Sequence, residues 1–170
     1  MRRLILLRHA KAESASASGD FDRGLTDRGR RDAALMGRAL ADAGLSPDQT
    51  VVSLARRAQE TWEAMAATFP AARVASDRAL YLASCEQIDR TVAAARADPS
   101  VGVLMIIGHN PGLHEYAVSF LEQRQASNAS QTHLLTAFPT ASAAVFAFDA
   151  EGRGAFQQQL SPRDIGGGVL

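Results

Sequence analysis

The stretch LILLRHAK, residues Leu4 to Lys11, changes abruptly from four aliphatic side chains to a cluster of basic ones. Four large apolar residues in a row favour a strand that is buried on both faces, as in the middle of a parallel sheet. The side chains of Arg8 and His9 then lie at the carboxyl end of that strand. Ligands of open α/β sheets bind at this end, so the cluster is a candidate site, although a strand that simply runs out into solvent is the alternative.

Length and charge limit the class of protein. The chain has 170 residues, a length typical of a single domain with one sizeable core, so we expect one domain over residues 1–170. Lysine plus arginine equals aspartate plus glutamate at 18 each. This balance favours neither nucleic acid nor an anionic membrane as a partner, and any anion site has to be local.

Cysteine usage and hydropathy indicate the compartment. The sequence has one cysteine, Cys85, so we expect neither an internal disulfide nor a cysteine zinc site. The apolar run near the start is too short for the core of a signal peptide, and no other segment approaches the length of a membrane span. We therefore expect a cytoplasmic protein.

Strand patterns alternate with helical patterns, which predicts an α/β fold with a mainly parallel sheet covered by helices on both faces. Thr26 is a plausible N-cap of a first helix that ends near Gly44, and Ser84 with Gln87 forms a capping-box pattern before a later helix. The buried face of the first helix is expected to consist of Leu35, Met36, Ala39, Leu40 and Ala43.

The end of the chain is less regular. The polar segment Gln123 to Gln131 is expected to be a mobile loop. Two strands, Ser142 to Phe148 and Ala155 to Leu160, flank a turn signal and predict a hairpin. The glycines at 166–168 predict a flexible C-terminal tail from about residue 162, because glycine is costly to order and buries no large side chain.

Three polar segments each follow a predicted strand. They are Arg8-His9, SLARRAQET at Ser53–Thr61, and GHNPG at Gly108–Gly112. If the strands are parallel neighbours, the segments converge on one crevice that contains two histidines and at least two arginines. A neutral imidazole nitrogen can attack phosphorus when the other ring nitrogen keeps its proton. Arginine forks match phosphoryl oxygens and lower the pKa of a nearby histidine, so the crevice needs neither metal nor cofactor for phosphoryl transfer.

Four motifs occur in order along the chain: LLRHA, LTDRG at Leu25–Gly29, SLARRAQET and GHNPG. In this order they resemble the histidine phosphatase superfamily, and more closely its short SixA-type phosphohistidine phosphatases. The resemblance covers residues 4 to about 112 and implies a phosphoglycerate mutase-like fold with three layers, α/β/α. The wider superfamily usually has glycine where this chain has Ala10.

The resemblance also implies roles for individual residues. His9 is implied to be the nucleophile, which becomes phosphorylated in turnover, and the phosphoryl group is implied to lie among Arg8, Arg57 and His109. Arg57 is preferred to its neighbour Arg56 because it holds the family position within SLARRAQET. Two further substrate contacts are candidates only: Lys11, which is as often simply exposed, and Asn110, which can equally shape a turn.

The sequence lacks a clear counterpart of the general acid that superfamily members use on alkyl phosphates. Glu115, Asp20 and Asp22 are candidates, although each is more often a surface charge. A protonated phosphohistidine expels neutral imidazole with little help, whereas an alkoxide needs a proton donor. We therefore expect a metal-independent phosphatase that acts on phosphohistidine in a phosphorylated protein. The alternatives are a small-molecule phosphomonoesterase that acts on a sugar, nucleotide or cofactor-precursor phosphate, and a noncatalytic module that binds phosphate or a phosphoprotein.

Overall fold

The computed structural model describes residues 1–122 and 129–168. Strands and helices alternate over most of this length, as the sequence patterns predict. The strands are β1 (Arg3–Arg8), β2 (Gln49–Ser53), β3 (Arg73–Asp77), β4 (Val103–Gly108), β5 (Ala143–Phe148) and β6 (Gly154–Leu160). The helices are α1 (Asp27–Asp42), α2 (Arg56–Met65), α3 (Cys85–Ala97), α4 (Gly112–Glu122) and α5 (Ala129–Thr136).

The six strands form one mixed sheet in the order β3-β2-β4-β1-β5-β6. The pairs β2–β3, β2–β4 and β1–β4 are parallel, whereas β5 is antiparallel to both β1 and β6. The predictions of a mainly parallel α/β sheet and of a C-terminal hairpin are therefore confirmed. β1 lies between β4 and β5, which explains why its four aliphatic residues are completely buried.

Alternate residues of β1 contribute to two hydrophobic clusters, one on each face of the sheet. Leu4 and Leu6 join the cluster that α3, α4 and α5 cover, and Ile5 and Leu7 join the cluster that α1 and α2 cover. This alternation follows from the two-residue period of a strand. The sheet is thus the middle layer of the expected α/β/α arrangement.

The helix ends agree with the sequence patterns. The Thr26 hydroxyl accepts a hydrogen bond from the Gly29 N–H at 3.0 Å, and the Ser84 hydroxyl accepts one from the Gln87 N–H. Gly44 follows α1 with a φ of 70°, a left-handed conformation that glycine adopts without steric cost.

The predicted buried face of α1 is wrong in part. Met36 and Leu40 are buried, but the other buried positions of the helix are Gly29, Asp32, Ala33 and Gly37. A Cβ added to Gly37 would lie 2.7 Å from the Cβ of Met65 in α2, so the two helices approach each other through a small residue. The prediction selected large apolar residues and therefore missed this face, because the close approach of α1 to α2 requires small side chains on α1.

The predicted loop Gln123 to Gln131 is described only in part. Its residues 123–128 lie outside the described residues. Residues 129–131 belong to α5, so the loop prediction is wrong there; α5 is held on the core by the buried side chain of Leu134.

The C-terminal turn, residues 161–168, is bonded to the rest of the fold. The Gly168 N–H donates to the Asp32 carboxylate on α1 at 3.1 Å. Flexibility of the tail and a single domain over residues 1–170 stay predictions. Among the described residues, none of the helices is long and apolar enough to cross a membrane.

Candidate active site

The carboxyl ends of β1, β4 and β2 meet at one edge of the sheet, as the three polar segments require. β4 lies between the other two strands, and the His9 N–H donates to the Gly108 carbonyl at 3.0 Å. The rings of His9 and His109 face each other with centroids 5.1 Å apart. Both histidines are buried, with exposed fractions of 7% and 3%. The predicted convergence of the two histidine motifs is therefore present in the structure.

The hydrogen bonds of His9 determine which ring nitrogen carries the proton. Nδ1 lies 2.8 Å from the Ala10 carbonyl, which can only accept, so Nδ1 is the donor. Nε2 accepts a hydrogen bond from Nε of Arg57 at 3.2 Å. Nε2 therefore carries no proton, which is the state that a phosphorus-attacking imidazole requires, and in this structure its lone pair accepts the hydrogen bond from Arg57.

Burial and nearby cations keep both histidines neutral. Burial lowers the pKa of His9 to about 4, the hydrogen bond to Ala10 partly opposes this, and Arg57 and Arg8 lower the pKa further. Burial likewise lowers the pKa of His109 to about 3, with His9 and Arg57 as further causes. Near neutral pH each ring therefore has one nitrogen without a proton.

Arg57 is buried with 2% of its surface exposed, and it contacts His9 directly. Its Nη1 donates to the Asp20 carbonyl at 2.7 Å, and its Nη2 donates to the Asp20 carboxylate at 3.0 Å. Arg56 instead has a side chain that is 58% exposed and pairs with Glu60 at 2.7 Å. Of the two adjacent arginines, the structure brings Arg57 to the histidine.

Asp20 and Tyr81 lie next to Arg57 and His109, on two segments that are far apart in the sequence. The Tyr81 hydroxyl donates to the Asp20 carboxylate at 2.7 Å, and Arg23 pairs with the same carboxylate at 2.8 Å. The hydrogen bond from Tyr81 is the largest cause that lowers the pKa of Asp20, to about 2. The Tyr81 ring also packs edge-on against the His109 ring, with centroids 5.5 Å apart. Sequence reasoning missed Tyr81, which carries no motif signal in a single sequence.

His109 is held by the SLARRAQET segment. Its Nε2 lies 2.8 Å from the hydroxyl of Ser53 at the end of β2, and the two groups share a hydrogen bond. Its Nδ1 is buried and has no hydrogen-bond partner among the described residues. A buried polar nitrogen without a partner is costly, and a ligand oxygen would satisfy it.

Arg8 and Asn110 share a backbone acceptor that comes from far along the chain. Nη1 of Arg8 and Nδ2 of Asn110 both donate to the Phe138 carbonyl, at 2.9 and 3.1 Å. The Arg8 Nε and the Asn110 Oδ1 are buried and unpaired among the described residues. Each of these two side chains therefore retains a polar atom that can bind a substrate.

Two residues of SLARRAQET support the site without touching it. The Thr61 hydroxyl accepts from the Ala10 N–H at 3.0 Å and donates to the Arg57 carbonyl at 2.6 Å. Glu60 is buried and accepts from the Leu25 N–H at 2.6 Å. This motif therefore connects the loop after β1 with the start of the LTDRG motif.

Among the described residues, the side chains of the remaining candidates, Lys11, Asp22 and Glu115, make no hydrogen bond to His9 or His109. Lys11 and Asp22 are exposed, and Lys11 borders a neighbouring cavity. Glu115 is exposed on α4. Burial of the Cys85 thiol is the main cause that raises its pKa, and the charge of Glu115 is the second cause. His114 instead donates from Nε2 to the Leu134 carbonyl at 2.6 Å.

The described part of the chain contains no group of three or more His, Cys, Asp or Glu side chains placed to hold a metal ion. The arrangement at the sheet edge is instead that of an oxyanion pocket. One imidazole nitrogen without a proton lies next to a guanidinium, and further donors lie around it.

A family model for the histidine phosphatase superfamily (branch 1) matches residues 4–81. An uncharacterized chloroplastic protein of Arabidopsis thaliana is 29% identical over 172 residues, which cover 95% of this chain and 78% of that protein. A SixA structure from Agrobacterium tumefaciens, a candidate phosphohistidine phosphatase, shares 29% identity and a TM-score of 0.80 over 95% of this chain and 99% of that chain.

Two further structures share the fold at lower identity. The protein histidine phosphatase SixA in complex with tungstate has a TM-score of 0.78 at 21% identity, over 95% of this chain and 98% of that one. A mycobacterial glucosyl-3-phosphoglycerate phosphatase has a TM-score of 0.67 at 18% identity, over 92% of this chain and 97% of that one. The fold thus serves substrates of more than one class.

The family model and the SixA structure from Agrobacterium tumefaciens both identify the histidine phosphatase superfamily as what this chain is similar to. The similarity is to SixA in particular, because the SixA structure at 29% identity matches this chain over 99% of its own length. The resemblance inferred from the four motifs is therefore confirmed, and so is the phosphoglycerate mutase-like fold.

Proposed function

We propose that this protein is a phosphatase that removes the phosphoryl group from phosphohistidine in a protein, through a covalent phosphate on His9. The observation that carries the proposal is the state of His9. Its Nδ1 proton is held by the Ala10 carbonyl, and its Nε2 lone pair is directed at Arg57. A noncatalytic binding module would need the arginines but not a nucleophilic nitrogen in this state.

In the first step, Nε2 of His9 attacks phosphorus and the bond between phosphorus and the substrate nitrogen breaks. The substrate imidazole, already protonated on its other nitrogen, leaves as a neutral molecule. Arg57 and the unpaired Arg8 Nε supply donors for the phosphoryl oxygens, and the unpaired His109 Nδ1 supplies another in the tautomer that carries its proton there. Donors that are already in position stabilise the developing charge without reorganising.

In the second step, water attacks the phosphorus of phospho-His9 and the bond between phosphorus and Nε2 breaks. Inorganic phosphate takes up the hydroxyl, and the released water proton passes to solvent or to the phosphate itself. His9 returns to its neutral form, which its low pKa favours. Neither step needs a metal ion or a cofactor.

The carboxyl groups near the site support phosphohistidine as the substrate. Asp20 is the candidate acid that contacts Arg57, but its pKa of about 2 means that it is ionised near neutral pH and has no proton to donate. Glu115 is on α4, and burial together with the Glu115 charge raises the pKa of the Cys85 thiol at the start of α3. Protonated imidazole has a pKa of about 6.5 and leaves without such an acid, whereas an alkoxide does not.

Trapping the intermediate tests the nucleophile. Rapid quenching of the enzyme at alkaline pH during turnover should reveal an acid-labile phosphate on His9. His9→Ala should abolish both this label and the activity, because His9 supplies the ring nitrogen that contacts Arg57. His114→Ala is the matched control and should keep the label. Phosphate found on His109 or His114 would contradict the assignment.

A substrate panel tests the substrate class. We expect high kcat/KM on a phosphorylated phosphotransfer domain, moderate values on aryl phosphates, and low values on sugar or alkyl phosphates. Glu115→Gln should leave the phosphohistidine rate unchanged, as should prolonged chelation of metal ions. Efficient hydrolysis of an alkyl phosphate that is lost in Glu115→Gln would instead establish a small-molecule phosphatase. Reactivation of a chelated enzyme by magnesium or zinc would contradict metal independence.

A further inference from the structure

A second cavity of about 250 Å³ lies beside the candidate active site. Residues from the loop after β1, from α1, from the segment before β5 and from the C-terminal turn contribute to its walls. They include Lys11, Arg28, Asp32, Pro139, Thr140 and Arg163.

The side chains of this cavity are mainly cationic. Three basic residues line it against one carboxylate, that of Asp32. Asp32 is largely buried and is already engaged, since Arg28 lies 3.4 Å away and the Gly168 N–H donates to it. Lys11 and Arg163 are exposed, and within the described residues neither side chain makes a hydrogen bond or an ion pair. The cavity thus has an excess of positive charge in a chain whose net charge is zero.

The cavity and the candidate active site share a wall. Lys11 is two residues from His9, a separation of at most about 7 Å along an extended chain. The segment between α5 and β5 borders both places: the Phe138 carbonyl accepts from Arg8, and the Ala141 N–H donates to the carbonyls of Arg8 and His9 at 3.1 Å each. One substrate can therefore reach both places at once.

We propose that this cavity binds the carboxylate of an Asp or Glu side chain that lies near the phosphohistidine on the protein substrate. The inference rests on the proposed function and extends it to substrate recognition. An ammonium and a guanidinium without partners are the groups that recognise a carboxylate, and the guanidinium can do so with two parallel hydrogen bonds. A volume of 250 Å³ admits such a side chain.

Charge reversal at Arg163 tests the proposal, because this residue is exposed and lies outside the phosphoryl pocket. Arg163→Glu should lower kcat/KM on a phosphorylated phosphotransfer domain about 10-fold, mainly through KM, and weaken the salt dependence of KM. Hydrolysis of p-nitrophenyl phosphate should not change, since this substrate has no second anionic group. Arg163→Lys should retain most of the activity on the protein.

Arg38→Glu is the matched control, with the same change of charge on α1. Arg38 is exposed and lies ten residues from Arg28, about 15 Å along the helix axis. Equal kcat/KM values on the phosphoprotein for Arg163→Glu and Arg38→Glu would overturn this inference and leave the proposed function intact. A loss confined to a small substrate with two phosphates would also overturn it, because the anion would then come from a small molecule. An unmodified enzyme that cannot dephosphorylate the protein would overturn the proposed function itself.

Discussion

Two adjacent arginines show how one residue's position decides its role. Arg56 and Arg57 are consecutive on α2, so their side chains point about 100° apart around the helix axis. Arg57 is directed into the sheet edge and contacts His9, whereas Arg56 is directed outward and pairs with Glu60. The family position within SLARRAQET favours the same residue as the phosphoryl-binding arginine, and that role stays a prediction.

The first prediction at this scale compares Arg57→Ala with Arg56→Ala. The first change should lower kcat/KM on a phosphohistidine substrate by about 100 to 1,000-fold, the usual loss for one positioned donor to a transition-state oxygen. The second should change it by about threefold or less, because Arg56 makes no hydrogen bond to His9 and Glu60 keeps its other ion pair, with Arg30 at 3.0 Å. Steady-state kinetics measure kcat/KM for both variants, and circular dichroism verifies that both are folded. Equal losses would show that the wrong arginine is assigned.

A glycine in the first turn of α1 shows how an element positions the site. A Cβ added to Gly29 would lie only 2.1 Å from the Lys11 carbonyl oxygen. That carbonyl also accepts from the Thr26 N–H, so the start of α1 and the loop after His9 are packed backbone to backbone. The glycine of LTDRG is therefore explained by close approach, and it allows the start of α1 to pack on the loop after His9.

The prediction for this element is that Gly29→Ala destabilises the protein by about 1–3 kcal/mol despite the better helix propensity of alanine. Because the Lys11 backbone must move, kcat should fall as well. Urea unfolding and steady-state kinetics measure the two effects. Gly24→Ala is the control, since its added Cβ would meet the movable ends of Arg56 and Glu60 at 3.2–3.3 Å. A stabilised Gly29→Ala enzyme with full activity would contradict the packing argument.

The two buried histidines affect the stability of the whole molecule. Their pKa values in the folded protein, about 4 and about 3, lie below the value of about 6.5 expected in the unfolded chain. Between pH 6.5 and about 4 the unfolded state therefore binds more protons than the folded state. The free energy of unfolding contributed by these groups is fully present above pH 6.5 and is lost as the pH falls through that range.

The corresponding prediction is that the unmodified protein loses more stability between pH 7 and pH 5 than His9→Gln does. The difference should be about 1–2 kcal/mol, since each unit of pKa shift corresponds to about 1.4 kcal/mol. Urea unfolding at the two pH values measures it. His133→Gln, which changes an exposed histidine on α5, should behave like the unmodified protein. Identical pH dependence in His9→Gln would mean that His9 is not held neutral by burial.

The sequence by itself determined the features that depend on local pattern. Four aliphatic residues predicted β1, side-chain hydroxyls predicted the starts of α1 and α3, and the four motifs indicated the superfamily. These predictions succeed because strand burial and helix capping depend on residues that are a few positions apart. The sequence also placed His9 and His109 directly after predicted strands, but it left open whether those strands are neighbours.

Only the tertiary structure decided which distant groups meet at the site. The Phe138 carbonyl binds Arg8 across 130 positions of sequence, and Tyr81 reaches Asp20 across 61. The small-residue face of α1 and the basic cavity at Arg163 likewise come from packing between separate elements. Local spacing carries no information about these contacts, because strand order and helix packing are set by the collapse of the whole chain around one sheet.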